Sequence, residues 1–310
     1  MPIEGLSEAL SYYRICVEAE GYSRKTIVAN TMAVRFLSDF LSEHVNLSDV
    51  TVGHLRAFIL ALRRAKAYRD HPYTNVQDRP LSPHTVATYV RSIKAVFAFL
   101  AKEEMIPQNP FAHFKEPKAP RKVVPTFSEK EMERILSQPD KKTPTGFRDY
   151  VIILALYDTA VRRSELANLR LDGVDFELGE LRIMGKGGKE NYVPMGRNLA
   201  KAMLKYKIKY RPQSDSDVFF LSQDGRPLSS ERIHRIVKKY GKMAGLSRCY
   251  PHKLRHTGAV AFVRNGGDPF TLQKKLNHST LAMTRHYCEL GRADVRRAQL
   301  KFSPGDRLKV

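Results

Sequence analysis

The chain has 310 residues, enough for two domains of ordinary size, and its 42% hydrophobic content excludes an intrinsically disordered protein. A net charge of +21 and an isoelectric point near 9.9 favour a polyanionic partner. Residues 1–115 carry +3 and residues 116–310 carry +18, so a nucleic-acid backbone is expected mainly against the second part. The alternative is a basic protein without such a partner.

Residues 1–115 are predicted to form a small four-helix bundle. Its helices are expected at residues 5–20, at 23 to about 42, from Thr51, and from Ser82-Pro83. Gly21 is expected to end the first helix and Ser23 to cap the second. The stretch Ala65 to Pro80 mixes charged residues, Pro and Asn, and is predicted to be an inserted loop.

Two pairs of cations in this domain are candidate DNA contacts. Arg24 and Lys25 lie at a helix start, where phosphates bind readily, and Arg91 and Lys94 flank the inner face of the last helix. The alternative for each of them is a solvated helix face.

Residues 116–126 are predicted to be an extended, basic linker, because prolines interrupt both the helical and the strand periodicity. Its cations Lys118, Arg121 and Lys122 are further candidate DNA contacts. An ordinary linker is the alternative, and the two interpretations are compatible.

Residues 127–310 are predicted to be mainly α-helical, with one small antiparallel sheet. A capping box at Ser128 opens the first helix, and residues 147–159 form a strongly apolar one. Short strands are expected at 173–176, 181–184 and 191–194, and helices at about 196–210, 229–243, 252–265, 269–276, 280–287 and 291–300.

Several residues of this second domain could carry chemistry. Arg162 opens a short helix with Glu165 one turn on, which suggests a guanidinium oriented into a cleft or a structural ion pair. Lys186 and Lys189 lie on a Gly-rich hairpin turn, where Lys186 could donate a proton or simply be part of a flexible basic loop. The turn does not have the spacing of a Walker loop.

His252 and Arg255 are three residues apart and therefore share a helix face. His256 is four residues from His252, which would allow a metal pair, but no carboxylate at suitable spacing completes a hydrolytic zinc site. We therefore predict no metal and no cofactor. Taken alone, His278 and Tyr287 are more typical of a core or an interface than of a site.

Taken as a set in this order, the six residues suit phosphodiester chemistry: Arg162, Lys186, His252, Arg255, His278 and Tyr287. Two arginines can neutralise a pentavalent phosphorane without a metal, a lysine can protonate a departing 5′-oxygen, and histidines can move protons. A phenol is a weak acid and needs such a cationic pocket to act as a nucleophile.

Nothing in the sequence suggests export or membrane insertion. Cys16, Cys249 and Cys288 are widely spaced and form no disulfide framework, which indicates a reducing, intracellular compartment. There is no apolar run of about 18 residues and no signal-peptide pattern. We expect a cytoplasmic, nucleoid-associated protein with no membrane partner.

Four motifs resemble those of the tyrosine recombinases, the phage integrase family, and specifically its Xer-like members. They are residues 156–166 (LYDTAVRRSEL), residues 185–190 (GKGGKE) with Val193-Pro194, residues 251–257 (PHKLRHT), and residues 276–278 (LNH) followed by Tyr287. The similarity covers the whole second domain. The N-terminal bundle is similar in pattern to the family's helical, SAM-like core-binding domain.

The resemblance implies a site-specific recombinase that cuts and rejoins a double-stranded DNA recombination site. Tyr287 would be the nucleophile that forms a 3′-phosphotyrosine, the other five residues of the set would activate the phosphate, and Glu165 and His256 would support them. A C-shaped clamp, a homotetramer on DNA and a Holliday junction are implied, without ATP or metal, and a paired second recombinase is an open alternative. The 23 residues after Tyr287 would dock on a neighbouring protomer.

The chain departs from the family pattern at three positions. Ala160 and Asn277 stand where the family usually has Gly, and Arg163 replaces a commonly apolar residue. Asn tolerates the left-handed backbone that Gly adopts, so we expect little harm from Asn277. Two other functions remain as alternatives: a type IB topoisomerase-like enzyme without synapsis, and a non-catalytic DNA-binding protein on the same fold.

Overall fold

The structure is a computed structural model that describes residues 5–41, 45–67, 77–120, 125–185, 188–278, 280–287, 296 and 299–307, with the backbone alone at 66, 67, 77–79, 282, 286 and 307. The chain divides into two compact units, Met1–Lys122 and Val123–Val310. Across these described ranges, no helix is both long enough and apolar enough to cross a bilayer.

The described part of the first unit contains four α-helices, as its sequence predicts. They are α1 (Leu6–Ala19), α2 (Arg24–Leu41), α3 (Val52–Arg64) and α4 (Pro83–Lys102). Helices α2, α3 and α4 begin after Ser23, Thr51 and Ser82, respectively. In each case the hydroxyl oxygen accepts a hydrogen bond from a backbone N–H group in the first turn of the helix. After α1, Gly21 takes φ +78° and the N–H of Tyr22 donates to the carbonyl of Val17, which ends the helix in a Schellman arrangement.

The expected loop between α3 and α4 is not wholly irregular. Strand β1 (Lys66–Ala67) pairs antiparallel with β2 (Gln77–Pro80), with a shift of register between Lys66 and Ala67. The strand sequences, Lys-Ala and Gln-Asp-Arg-Pro, contain no alternating apolar pattern, so side-chain periodicity gives no signal for this ladder. Residues 68–76, at the centre of the predicted insertion, lie outside the described residues.

The second unit is built on a buried helix, α6 (Pro144–Asp158), which begins after the N-cap Thr143 and is preceded by α5 (Glu129–Ser137). Side chains of α6 are buried along most of its length, including Val151, Ile152, Ile153, Ala155 and Leu156. Because it is apolar around most of its circumference, α6 is surrounded by other elements and provides a rigid support for the turn that follows it.

Beyond α6 come α7 (Arg163–Ala167), the sheet and the remaining helices. The sheet is antiparallel in the order β3-β4-β5, formed by β3 (Val174–Asp175), β4 (Glu180–Met184) and β5 (Glu190–Pro194). The helices are α8 (Arg197–Lys205, continued by a π-turn at Tyr206–Tyr210), α9 (Ser230–Met243), α10 (Pro251–Arg264), α11 (Pro269–Leu276) and α12 (Leu281–Thr284, continued by a 3₁₀ turn at Arg285–Tyr287). These positions confirm the mainly α fold with a small antiparallel sheet.

Helix α10 lies very close to α6. A Cβ added at Gly258 would lie 1.9 Å from the carbonyl oxygen of Tyr157. This contact brings the N-terminal half of α10, with His252 and Arg255, beside the end of α6 and the turn that carries Arg162. Of the helix predicted at 291–300, residues 291–295, 297 and 298 lie outside the described residues.

Candidate active site

Arg162 is held at the start of α7 by Glu165. The Glu165 carboxylate accepts from the backbone N–H of Arg162 and from its guanidinium Nη1, both at 2.7 Å. Glu165 is 7% exposed, whereas 41% of the Arg162 side chain is exposed. The buried carboxylate therefore fixes the direction of a guanidinium whose other face is open to solvent.

The turn before Arg162 has an unusual backbone. Ala160 takes the left-handed conformation, with φ +55°, which costs a residue with a Cβ about 1–2 kcal/mol. The carbonyl of Ala160 accepts from Nη1 of Arg255, so a side chain from α10 helps to hold this conformation. This is the position where the family resemblance leads one to expect Gly.

Arg255 lies at the centre of the site and is 4% exposed. Besides its bond to Ala160, its Nη2 donates to the carbonyl of Leu276 at 3.2 Å and lies 3.3 Å from Nε2 of His278. Burial lowers the pKa of Arg255, and the positive charge of Arg162 lowers it further, while Tyr287 and Glu165 oppose the change. Two like charges are thus held near each other, an arrangement that an anion would relieve.

His278 follows α11 directly. Its predecessor Asn277 has φ +50° and ends the helix, so Asn adopts the left-handed backbone as expected. Nδ1 of His278 lies 3.0 Å from the Thr284 hydroxyl, and Gln273 donates to the His278 carbonyl at 3.2 Å. Because Arg255 can only donate, the hydrogen bonds assign Nε2 of neutral His278 as acceptor and Nδ1 as the protonated nitrogen.

Tyr287 is brought to these cations by the 3₁₀ turn after α12. It is 5% exposed and packs in a small apolar cluster with Ala160, Ala259, Val263, Leu272 and Leu276. Its side chain lies close enough to Arg255 to raise the pKa of that guanidinium, against the effect of burial. The ring centroids of His256 and His278 lie 5.0 Å and 6.0 Å from that of Tyr287.

His252 lies at the solvent-exposed mouth of the site. Partial desolvation by the surrounding protein lowers its pKa, and the positive charges of Arg255 and then Arg162 lower it further. Near neutral pH the ring is therefore neutral in the free protein and can accept or donate one hydrogen bond at each nitrogen.

The structure thus brings five of the six predicted residues to one place, and the sixth, Lys186, lies outside the described residues. The base of its hairpin is described: Gly185 donates to the carbonyl of Lys189 at 2.8 Å, and Lys189 is exposed. A Cβ built on Gly185 would lie 3.2 Å from Nδ2 of Asn277. The hairpin base is therefore adjacent to the turn that carries His278.

No group of three His, Cys, Asp or Glu side chains arranged to hold a metal ion occurs among the residues that the structure describes. His256, the second member of the metal pair considered from the sequence, faces the Tyr287 ring.

Comparison with known proteins identifies the family. The model of the phage integrase family matches residues 125–293, and the model of the phage integrase SAM-like domain matches residues 10–116. Tyrosine recombinase XerC of Oceanobacillus iheyensis is 32% identical over 280 residues, covering 87% of both chains. Tyrosine recombinase XerD of Staphylococcus aureus is 28% identical over 298 residues, covering 94% of this chain and 97% of its own. The chain belongs to the phage integrase family.

Solved structures of integrase-family proteins share this fold. The Tn1549 transposon integrase in complex with transposon right end DNA has a TM-score of 0.73 at 21% identity, covering 94% of this chain and 98% of its own. The XerH site-specific recombinase bound to difH substrate has a TM-score of 0.68 at 19% identity, covering 92% and 82%. With these relatives, the chain is a Xer-like tyrosine recombinase, an enzyme that acts in site-specific DNA recombination. None of these similarities favours the topoisomerase or the non-catalytic alternative.

The DNA contacts predicted in the recombinase's first unit have different surroundings. Arg24 and Lys25 are exposed at the start of α2. Arg91 pairs with Glu116 at 2.9 Å, and Lys94 donates to the carbonyl of Phe114 at 2.5 Å, so both of these contact the chain that follows α4.

In the predicted linker, Lys118 is exposed, whereas Arg121 and Lys122 lie outside the described residues.

Sequence reasoning missed the residues that hold the site together. Thr284 and Gln273 position His278, but neither residue type is distinctive at its place in the sequence. It also missed the basic face of α9, whose cations recur at helical spacing opposite the buried Ile233, Ile236 and Val237. The exposed cations of that face are Arg232, Arg235, Lys238, Lys239 and Lys242. The helical spacing of these cations is the sequence feature that could have identified the basic face.

Proposed function

We propose that this recombinase exchanges DNA strands through a covalent 3′-phosphotyrosine intermediate on Tyr287. One observation supports this most strongly: the Arg255 guanidinium lies 3.3 Å from Nε2 of His278, and both Tyr287 and Arg162 are close enough to shift its pKa. The nucleophile and the groups that would bind the phosphate are thus in one pocket of one subunit.

The electrostatics of the pocket suit a phosphodiester. Arg162 and Arg255 supply two guanidinium groups, whereas Glu165 supplies one carboxylate, which pairs directly with Arg162 and acts on Arg255 from a greater distance. The net positive charge in a largely buried site is costly until an anion enters, and it would be most useful when negative charge builds up on the pentavalent phosphorus. We assign Arg162, Arg255, His252 and His278 to the phosphate oxygens, and Glu165 and His256 to supporting those groups.

The reaction proceeds in two balanced transfers. The Tyr287 phenol oxygen attacks the scissile phosphorus and passes its proton to a neutral histidine of the site, while the bond to the 5′-oxygen breaks and that oxygen takes up a proton from Lys186. In the second transfer, a 5′-hydroxyl of the partner strand attacks the phosphotyrosine and returns a proton to Lys186, while the departing Tyr287 oxygen takes back the proton from the histidine. One ester replaces another at each step, so the chemistry as proposed needs neither ATP nor a metal.

DNA would be held by both units. We propose residues 1–115 as the core-binding domain, 116–126 as a basic linker and 127–310 as the catalytic domain, with homotetramer assembly on the recombination site or pairing with a second recombinase. The proposed DNA-contacting cations are Arg24, Lys25, Arg91, Lys94, Lys118, Arg121, Lys122 and Lys189, to which the structure adds the basic face of α9. Because the substrate is DNA, we place the protein in the cytoplasm on the nucleoid.

The experiment begins by finding the site. The wild-type protein is incubated with a library of nicked duplexes, and the DNA that becomes covalently attached to it is sequenced. Two copies of the recovered site are then placed on one plasmid. We expect a Holliday junction followed by deletion or inversion of the intervening segment.

The matched variants are Tyr287→Phe, which should give neither product, and Tyr210→Phe in the π-turn after α8, which should behave as wild type. Plasmid relaxation without junctions or rearranged products would instead indicate a topoisomerase, and the proposal would be wrong.

A further inference from the structure

Lys275 on α11 contacts the end of α6. Its Nζ donates to the backbone carbonyl of Asp158, the last residue of α6, at 2.9 Å, and lies 4.8 Å from the centre of the Phe262 ring of α10. The side chain is partly buried. One lysine on α11, the helix that precedes His278, therefore contacts both α6, which leads into the Arg162 turn, and α10, which carries Arg255.

The carbonyl that Lys275 binds belongs to a helix C-terminus. The last carbonyl groups of a helix have no partner within it, and a cation there is also favoured by the helix dipole. Asp158 is held on its other side, because its carboxylate accepts from the N–H of Gly196 at 2.8 Å at the start of α8. The end of α6 is thus joined to α8 through the Asp158 side chain and to α11 through Lys275.

Arg255 makes a parallel connection on the side of the phosphate pocket. It bonds the carbonyls of Ala160 and Leu276, which lie two residues after Asp158 and one residue after Lys275. Two cations therefore join the same pair of chain segments, the turn after α6 and the C-terminal end of α11. Arg255 contacts Tyr287 and His278 directly, whereas the described contacts of Lys275 are with Asp158 and Phe262.

We propose that Lys275 is a positioning residue for strand cleavage: by holding the end of α6 against α11, it fixes Arg162 and His278 at the separation that the transition state requires. If this contact served only to pack the helices together, an apolar side chain would be sufficient at position 275. Burial lowers the pKa of Lys275, and only partial compensation comes from the neighbouring Asp158 carboxylate, so the charge is retained at a cost. The inference rests on the proposed phosphotyrosine mechanism.

The test compares three variants: Lys275→Met keeps the length of the side chain but removes the donor, Lys275→Arg keeps a donor, and Lys274→Met changes the exposed neighbour on the same helix. Each variant is assayed for thermal stability, for DNA affinity, and for the rate of single-turnover cleavage of a suicide duplex at saturating protein. We expect Lys275→Met to slow cleavage by about tenfold to a hundredfold while binding DNA as wild type does. Lys275→Arg should restore most of the rate, and Lys274→Met should match wild type.

A double-variant cycle separates positioning from general support. If Lys275 acts through the turn that carries Arg162, adding Lys275→Met to Arg162→Ala should slow cleavage by less than about threefold further. The proposal is overturned if Lys275→Met cleaves at the wild-type rate, if it fails to fold, or if cleavage falls only in step with stability and DNA binding. Failure of the wild-type protein to form any adduct would overturn the proposed mechanism instead.

Discussion

At the residue scale, Arg255 is the side chain on which the site depends most. It is nearly fully buried and connects α10 to the Ala160 carbonyl, the Leu276 carbonyl, His278 and Tyr287. Arg162, by contrast, is held by Glu165 among the described residues, and 41% of its side chain is exposed. We therefore expect Arg255 to contribute to both the stability and the chemistry of the site, and Arg162 to contribute mainly to its chemistry.

We expect Arg162→Ala to lower the cleavage rate by about a hundredfold to a thousandfold with little loss of stability, because it removes a charge-assisted contact to the phosphorane. Arg255→Ala should lower the rate at least as much, and should also lower the melting temperature, since it leaves two buried carbonyls without a donor. Arg264→Ala, at the exposed end of the same helix, is the control. Near wild-type cleavage by both active-site variants would contradict the assignment of the phosphate pocket.

His252 predicts a pH dependence of DNA binding. Its pKa in the free protein is lowered from the ordinary value of 6.5, so the ring is neutral near pH 7. A bound phosphate favours the imidazolium form of His252 and raises its pKa, so DNA binding is accompanied by uptake of a proton. DNA affinity should therefore increase as the pH falls from the His252 pKa of the complex towards that of the free protein. His252→Gln cannot take up this proton and should show a shallower pH dependence.

The measurement uses Tyr287→Phe protein, in which no cleavage follows, with and without His252→Gln. Affinity is compared by fluorescence anisotropy between about pH 7.5 and 5.5, a range that spans the ordinary histidine value. His113→Gln, an exposed histidine of the first unit, controls for general histidine titration. Equal pH dependence with and without His252 would contradict its placement beside the phosphate.

At the element scale, the site is assembled by the ends of two helices and by a third helix between them. Helix α6 ends before the Arg162 turn, α11 ends just before His278, and α10 supplies Arg255, which bonds both segments. The close approach of α10 to α6 at Gly258 is the contact that makes this arrangement possible.

Gly258→Ala should therefore be strongly destabilising. The added methyl group would lie 1.9 Å from the Tyr157 carbonyl oxygen and 2.9 Å from its carbon, so the helices would have to separate. Overpacking of this kind costs about 1–3 kcal/mol and reverses the gain of up to about 1 kcal/mol that Ala normally brings to a helix.

The free energies of unfolding of the wild-type protein and of the variants are measured by urea denaturation. The matched control is Gly53→Ala on α3, where the nearest atom to the new Cβ would be the Thr51 hydroxyl oxygen at an ordinary 3.4 Å. If Gly258→Ala were as stable as wild type and still cleaved DNA, the close contact would not be needed.

Much of the secondary structure could be predicted from the sequence, because helix capping and hydrophobic periodicity depend on residues that are close together in the chain. The capping box at Ser128 and the alternating strands are examples. The order of the motifs also identified the five site residues that the structure brings together. The β1–β2 ladder and the start of α6 at Pro144 were missed, since polar residues give no periodic signal there. Lys275 could not be foreseen, because its partner Asp158 is 117 residues away and offers only a backbone carbonyl.

At the scale of the whole molecule, the charge distribution is what the sequence shows most directly. The chain carries +21, with most of the excess after residue 115. Such a charge predicts association with DNA through many phosphate contacts, which release condensed counterions.

We expect DNA affinity to fall by about a thousandfold or more between about 50 and 200 mM salt if six to ten phosphates are contacted, a count taken as an order of magnitude. The log of the binding constant should be linear in the log of the salt concentration. Substituting both Arg24 and Lys25 by Ala should lower the slope by about 2 if each contacts a phosphate. An affinity that hardly changes with salt would contradict electrostatic DNA binding.

The central claim is that Tyr287 becomes covalently bonded to DNA, and peptide mapping of the trapped complex tests it most directly. Wild-type protein is captured on a suicide duplex, digested with protease and nuclease, and analysed by mass spectrometry. We predict a 3′-phosphonucleotide on Tyr287 and no adduct in Tyr287→Phe. An adduct on another residue, or one that persists in Tyr287→Phe, would show that the nucleophile is a different group.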